Sequence, residues 1–302
     1  MSKHDELASK VKPRSIQQSR LLEASLEIAI KPAKYGDENM AFNHSIFCQV
    51  GLPRSKVEGR EFMRKSGRAW VSIQAGMLDE GRGPVEQQIP YGSMPRLALA
   101  FMSTYAVQNK ERQIPIGDSA SAFLKYIGLD SQGNRHLQLR QQMFALAACR
   151  MQLGFDGVTF NDQPVEQFEV WMNRKEGSQR SLWPGKILLS ESYFKSLIES
   201  AVPLDLRALH ALRGSALALD VYTWLAQRLH RIEGRPPILH WKSLRDQFAQ
   251  EYTGIEADKN FKKAFLPALQ KVRNVYPKAK VLSIKGGIQL YPSQPPIPKR
   301  TN

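Results

Sequence analysis

Residues 261–277 read FKKAFLPALQKVRNVYP, and residues 279–292 read AKVLSIKGGIQLYP. The first stretch has the period of a basic amphipathic helix. The second is two short apolar runs joined across Lys285-Gly286-Gly287, the pattern of a hairpin. Helix followed by hairpin is the chain order of a winged helix. Lys259, Lys262, Lys263, Lys271, Arg273, Lys278 and Lys280 cluster here, and Lys285 sits at the hairpin turn. Asp258 is the only acidic residue between positions 258 and 280. Fixed positive charge on a helix sized for the major groove suits phosphate contact and groove entry. A solvated basic helix lying over a core would carry the same charge, and the hairpin that follows is what favours DNA.

Working upstream, the same plan reads a second time. Residues 97–107 are apolar around most of a helix. Asp118 or Ser119 can cap a second helix with Ala122, Phe123, Tyr126 and Ile127 inward. The glycines in residues 128–133 break it, and Asn134 can cap a third helix to about residue 153, with Leu137, Phe144, Ala148 and Met151 inward. Residues 158–160 and 168–172 then read as strands, with the polar tract 173–179 as the tip between wing strands. On the third helix, Gln138 and Gln142 suit adenine edges, while Arg135 suits guanine or phosphate. Solvated surface side chains would look the same in sequence. Arg174, Lys175 and Arg180 extend the basic set into the wing tract.

The copy that ends in the quoted stretch begins after a short link at 205–209. A long apolar helix over 212–232 is stopped by Gly234-Arg235-Pro236-Pro237, and a helix then starts at His240 or Ser243. Pro267 should kink or split the basic helix, or mark a fresh start. Ahead of both copies, 1–18 reads as a disordered arm. Residues 19–30 read as a short helix with Leu22, Leu26 and Ile30 on one stripe, and 45–50 and 68–75 as strands of a small sheet. The expected fold is therefore α+β: two tandem winged-helix domains, 19–200 and 201–302, the first carrying the small N-terminal sheet and helix. An unpaired edge on that sheet, at Val71 or Ile73, would offer a route to a homodimer.

The chain has 302 residues and a formal net charge of +15 from 43 basic and 28 acidic residues. That balance attracts polyanions. Two cysteines, Cys48 and Cys149, in apolar surroundings argue against a disulfide framework. No run reaches the roughly 20 apolar residues of a membrane span, and the first residues lack the apolar core of a signal peptide. A cytoplasmic bacterial protein is expected. Gly185-Lys186 lacks the earlier glycine and following hydroxyl of a phosphate loop. The six histidines show no paired metal-ligand spacing, and Tyr91, Tyr105, Tyr222 and Tyr291 lack the His-x-His partner of a nicking enzyme. No enzyme, cofactor or metal is expected.

The runs PYGSMPRLALAFMSTYAV, IPIGDSASAFLKYIGL and RHLQLRQQMFALAACRMQL resemble the plasmid-encoded RepA family of replication initiators, and GRAWVSIQAG and FKKAFLPALQKVRNVYPKAKV fit the same family. The resemblance runs from about residue 47 to 292. It implies a protein that binds repeated origin sequences (iterons) in double-stranded DNA, opens adjacent DNA and recruits host replication proteins such as a helicase or initiator. In such initiators a proline within the basic helix is normal, and dimers commonly repress while monomers initiate. A winged-helix transcriptional repressor is the alternative that the residues alone leave open.

Overall fold

The computed structural model of the chain describes residues 15–80, 83–168 and 185–298. Ser15 and Gln18 form a capping box, Ser15 Oγ accepting from the Gln18 amide while the Gln18 side chain accepts from the Ser15 N–H. This starts α1 (Ile16–Ile30) three residues before the expected Ser19. The stripe of Leu22, Leu26 and Ile30 is on the outside, all three exposed, while Ile28 is buried. The packed face carries Leu21 and Ala24.

Next come β1 (Met40–His44) and α2 (Ser45–Gln49). Of residues 45–50, expected as a strand, Ser45–Gln49 are helical, because His44 Nδ1 accepts from the Ile46 amide at 3.2 Å and caps the turn. A short apolar run does not distinguish the two states by period. There follow β2 (Glu61–Ser66), β3 (Ala69–Gln74), β4 (Met77–Asp79) and β5 (Pro84–Glu86). The expected strand at 68–75 is β3.

The first repeat is α3 (Ser93–Asn109), β6 (Gln113–Pro115), α4 (Ala120–Tyr126), α5 (Arg135–Ala148), then β7 (Arg150–Phe155), β8 (Val158–Asp162), β9 (Val165–Phe168) and β10 (Lys186–Leu189). Ser119 caps α4 as expected, while Asn134 starts α5 without a side-chain cap bond. α5 ends at Ala148, five residues early, and Met151 lies on β7. The hairpin β7–β8 leaves the repeat to complete a sheet in the order β2-β3-β7-β8. β3 is therefore interior, paired on both sides, and the edge expected at Val71 or Ile73 does not exist. Residues 158–160 belong to this sheet and not to a wing. The repeat's own sheet runs β6-β10-β9; the expected tip 173–179, with Arg174 and Lys175, and nearby Arg180 lie outside the described residues.

After α6 (Glu191–Ser200), β11 (Ala201–Asp205) pairs with β1, and α7 (Leu206–Leu212) follows. The expected link at 205–209 is thus the end of a strand and the start of a helix. Its Asp205, Arg207, Ala208 and Leu209 are buried. The second repeat is α8 (Ala216–Arg228), a 3-10 turn (Leu229–Arg231), β12 (Ile238–His240), α9 (Trp241–Phe248), α10 (Ala257–Val275), β13 (Val281–Ile284) and β14 (Gly287–Leu290), with sheet order β12-β14-β13. Both repeats thus run helix, strand, helix, helix, two strands. In both, the strand after the first helix pairs with the last strand. Pro267 does not interrupt α10. Its ring faces solvent, as does Lys263, whose carbonyl loses its partner there and is open to water.

One hydrophobic core runs through both repeats and the β2-β3-β7-β8 sheet. In the second repeat it is aromatic: Trp224 meets Phe248 edge-on, and Phe265 lies tilted between Phe248 at 5.9 Å and Phe261 at 5.3 Å. That gives α10 a fixed seat, which leaves its other face for partners.

Candidate nucleic-acid interface

Helix α10 buries Phe261, Phe265, Ala268, Leu269, Val272 and Val275. The same period turns Lys259, Lys262, Lys263 and Arg273 to solvent, with Lys271 half-buried at the margin. Their tethers differ. Lys259 pairs with Glu256, one turn back, and the Lys262 ammonium lies 5.5 Å from the Trp241 ring centroid, a cation–π seat that aims it along α9. Lys263, Lys271 and Arg273 have no ion-pair partner among the described residues. Lys278 donates to Gln294 Oε1 at 3.0 Å, and Lys280 is exposed.

The hairpin closes in two residues, Ile284 pairing with Gly287 across Lys285-Gly286. Gly286 has φ +88°, a backbone state open to glycine at little cost. Its carbonyl accepts from the Trp241 amide at 3.1 Å. A Cβ on Gly287 would stand 2.0 Å from the Leu239 carbonyl oxygen. Lys285 is therefore held at the entrance of α9, near the basic helix that follows.

Helix α5 presents a different surface. Arg135 Nε sits 2.8 Å from Asp130 Oδ1, and His136 Nε2 lies 2.8 Å from Ser121 Oγ. Gln138 is exposed. Gln142 is not: it is 6% exposed, and its Oε1 accepts from the Tyr91 amide at 2.8 Å, so it holds the chain ahead of α3 and has no route to a base. The exposed amide one turn beyond Gln138 is Gln141, a residue that three-and-four counting from Gln138 would have found. Leu137, expected inward, is 55% exposed, and Leu139, Met143 and Leu146 fill the core.

A second basic surface had no signal in the sequence because its parts are far apart in the chain. Lys65 near the end of β2 and Arg68 in the β2–β3 turn line a cleft with Arg228, Arg231 and Arg235. α9 separates this cleft from α10: Arg245 reaches Asp258 on one flank at 3.2 Å, while Ser243, Asp246 and Gln247 line the cleft on the other.

Among the described residues no His, Cys, Asp or Glu group is placed to hold a metal ion, and no helix is long and apolar enough to cross a membrane. Both cysteines are buried, and burial pushes the Cys149 thiol up to about 12 and the Cys48 thiol higher. Burial also holds the His44 imidazole down at about 4. Neutral His44 can then accept from the Ile46 amide while its Nε2–H donates to Ser196 Oγ at 2.9 Å.

Residues 89–241, half of the chain, match the family model for the plasmid encoded RepA protein. The chain belongs to this family of plasmid replication initiators. Among solved structures it is similar to the crystal structure of RctB domains 2-3, at 14% identity and a TM-score of 0.49, covering 81% of this chain and 94% of that one. A second structure, of SeMet derivatives of RctB domain 2 and domain 3, matches at 13% identity with the same score and coverage. No curated protein matches the chain.

Proposed function

We propose that this initiator binds directly repeated origin sequences in double-stranded DNA through two winged-helix heads. Binding would open adjacent DNA and recruit the host's replicative machinery. The observation that carries this reading is the element order itself: the same helix-strand-helix-helix-two-strand unit twice, interrupted in the first copy by the β7–β8 hairpin, the second with an exposed basic face on its third helix. In a winged helix that third helix enters the major groove and the hairpin tip follows the backbone. On this assignment Lys259, Lys262, Lys263, Lys271, Arg273, Lys278, Lys280 and Lys285 contact mainly phosphate. Arg135, once released from Asp130, and Gln138, joined by Gln141, approach base edges. The chemistry is binding without turnover, so the free energy that opens the duplex comes from protein–DNA contact.

A footprint on the plasmid's own origin tests the proposal. Protection of each repeat over about two helical turns, roughly 20 base pairs, is the result expected for two heads about one turn apart on one face. Protection limited to half a turn would leave a single reading head and sink the two-headed model. Binding confined to the initiator's own promoter, with none at repeats, would favour the repressor.

A further inference from the structure

The two repeats meet at a buried charge pair joining their first helices. Arg96 on α3 faces Asp220 on α8 in bidentate contact, Nε to Oδ1 at 2.6 Å and Nη2 to Oδ2 at 2.8 Å, with 8% and 5% of the side chains exposed. The contact extends through the loop at residues 51–54. Arg96 Nη1 donates to the Pro53 carbonyl at 3.0 Å. From β2, the buried Arg64 donates to the carbonyls of Gly51 and Leu52 at 3.1 and 3.0 Å. Arg64 Nη2 also lies 3.6 Å from Glu251 Oε2, and Arg54 Nε donates to Glu251 Oε1 at 2.7 Å. Glu251 belongs to the turn between α9 and α10. A Cβ on Gly51 would stand 2.6 Å from the Asp220 carboxylate, so loop and helix are already as close as backbone permits.

The network thus runs without a gap from the first repeat's leading helix to the turn that presents the second repeat's basic helix. Apolar packing between the repeats is non-directional and tolerates sliding. A bidentate guanidinium–carboxylate pair has one geometry. Buried pairs of this kind add little net stability over an apolar replacement and can instead select one arrangement. Shifting one head against the other would strand a buried charge.

We infer that Arg96, Asp220, Arg64, Arg54 and Glu251 are positioning residues that fix the separation and angle of the two reading heads, and so set the half-site spacing the protein accepts. The inference rests on the two-headed reading above. One inserted base pair displaces a half-site by about 3.4 Å and turns it by about 34°, a change that a rigid pair of heads cannot follow.

The test is binding to one origin repeat at native spacing and with one base pair inserted between half-sites. Three proteins are compared: the unmodified chain, the paired apolar replacement Arg96→Met with Asp220→Leu, and Glu251→Gln alone, each checked by circular dichroism and thermal melt. The unmodified protein should lose roughly tenfold or more in affinity on insertion, the order of one mismatched base pair. The paired variant should lose less than about threefold, with salt slope at native spacing unchanged. Glu251→Gln, which alters a partly exposed side chain and needs no core rearrangement, should fall between. Folded variants that keep the full insertion penalty overturn the inference and leave the two-headed reading intact. If the unmodified protein is itself indifferent to the insertion, the two-headed reading falls and the inference falls with it.

Discussion

Helices α5 and α10 hold the same place in the two repeats and expose opposite chemistry. α10 turns out four lysine and arginine side chains, of which Lys262, Lys263 and Arg273 have no acidic partner among the described residues. α5 turns out amides, Gln138 and Gln141, an exposed Leu137, and cations already tied down: Arg135 to Asp130 and Arg140 to Glu80. Free cations give affinity that any duplex satisfies, whereas amides discriminate only where a base edge matches them. On the proposed two-headed binding this contrast assigns a division of labour, with the second repeat gripping and the first reading.

The largest effect should come from stripping the grip. Each phosphate contact contributes about 0.9 to the log-log salt slope, or about tenfold in affinity at 0.1 M salt relative to 1 M. Replacing Lys259, Lys262, Lys263 and Arg273 with Ala should cost on the order of 10²–10³-fold, less than four full contacts because Lys259 is partly spent on Glu256 and Lys262 on Trp241. Cognate and random DNA should suffer alike, and the slope should drop by about three. An unchanged slope would mean that the basic face of α10 merely solvates a core helix.

The comparison must be made above the pH at which the scaffold itself weakens. His44 is folded neutral, its pKa held down by burial to about 4 from the ordinary 6.5. The unfolded chain therefore binds the proton first, and stability present above pH 6.5 is lost as pH falls toward 4. The loss is at most on the order of 3 kcal/mol. Half-buried His210, lowered mainly by desolvation, acts in the same direction. Urea melts at pH 7 and pH 5 check this: His44→Asn, which keeps a capping acceptor but not the titration, should be less stable at pH 7 and flatter between the two. An equal pH dependence in both proteins would exonerate His44.

Much of this contrast between the two surfaces was legible in the sequence and part was not. The basic face of α10 and its hairpin could be read because charge and apolar period coincide over 19 residues. α5 was harder: with glutamines on both faces its period is weak, and of the two amides expected to reach bases Gln138 is exposed, whereas Gln142 is a buried strut and its neighbour Gln141 is on the surface. The first wing was misassigned because the β7–β8 hairpin is inserted between α5 and β9 to finish a sheet begun at β2. Such long-range pairing leaves no local trace. Nor does the Arg96–Asp220 pair, which joins residues 124 apart.

Reading by the first repeat is sharpened at two positions one turn apart. Gln138→Ala should cost about 1–3 kcal/mol on the cognate repeat if the amide is bidentate to a base, and far less on random DNA. Gln142→Leu should leave the ratio of cognate to random affinity untouched and lower stability by about 1–3 kcal/mol, since the buried Tyr91 amide loses its acceptor. A specificity change at Gln142, or equal losses on both substrates at Gln138, would reverse the assignment of the two faces.

The smallest expected effect lies at the hairpin tip. Lys285 is exposed and has no acidic partner among the described residues, on a turn anchored to the start of α9 through the Gly286 carbonyl. It belongs to the second repeat, so it should behave as grip and not as reader. Lys285→Ala should lower the salt slope by about one and weaken cognate and random binding equally, by up to about tenfold at 0.1 M salt. Lys285→Arg, which keeps the charge, should restore both. Should Lys285→Ala instead weaken cognate binding alone, the tip would be making a base contact in the minor groove, and the second repeat would read as well as grip. The footprint of that variant decides between the two: uniform weakening leaves the protected boundary in place, whereas loss of a base contact unprotects only the base pairs under the tip.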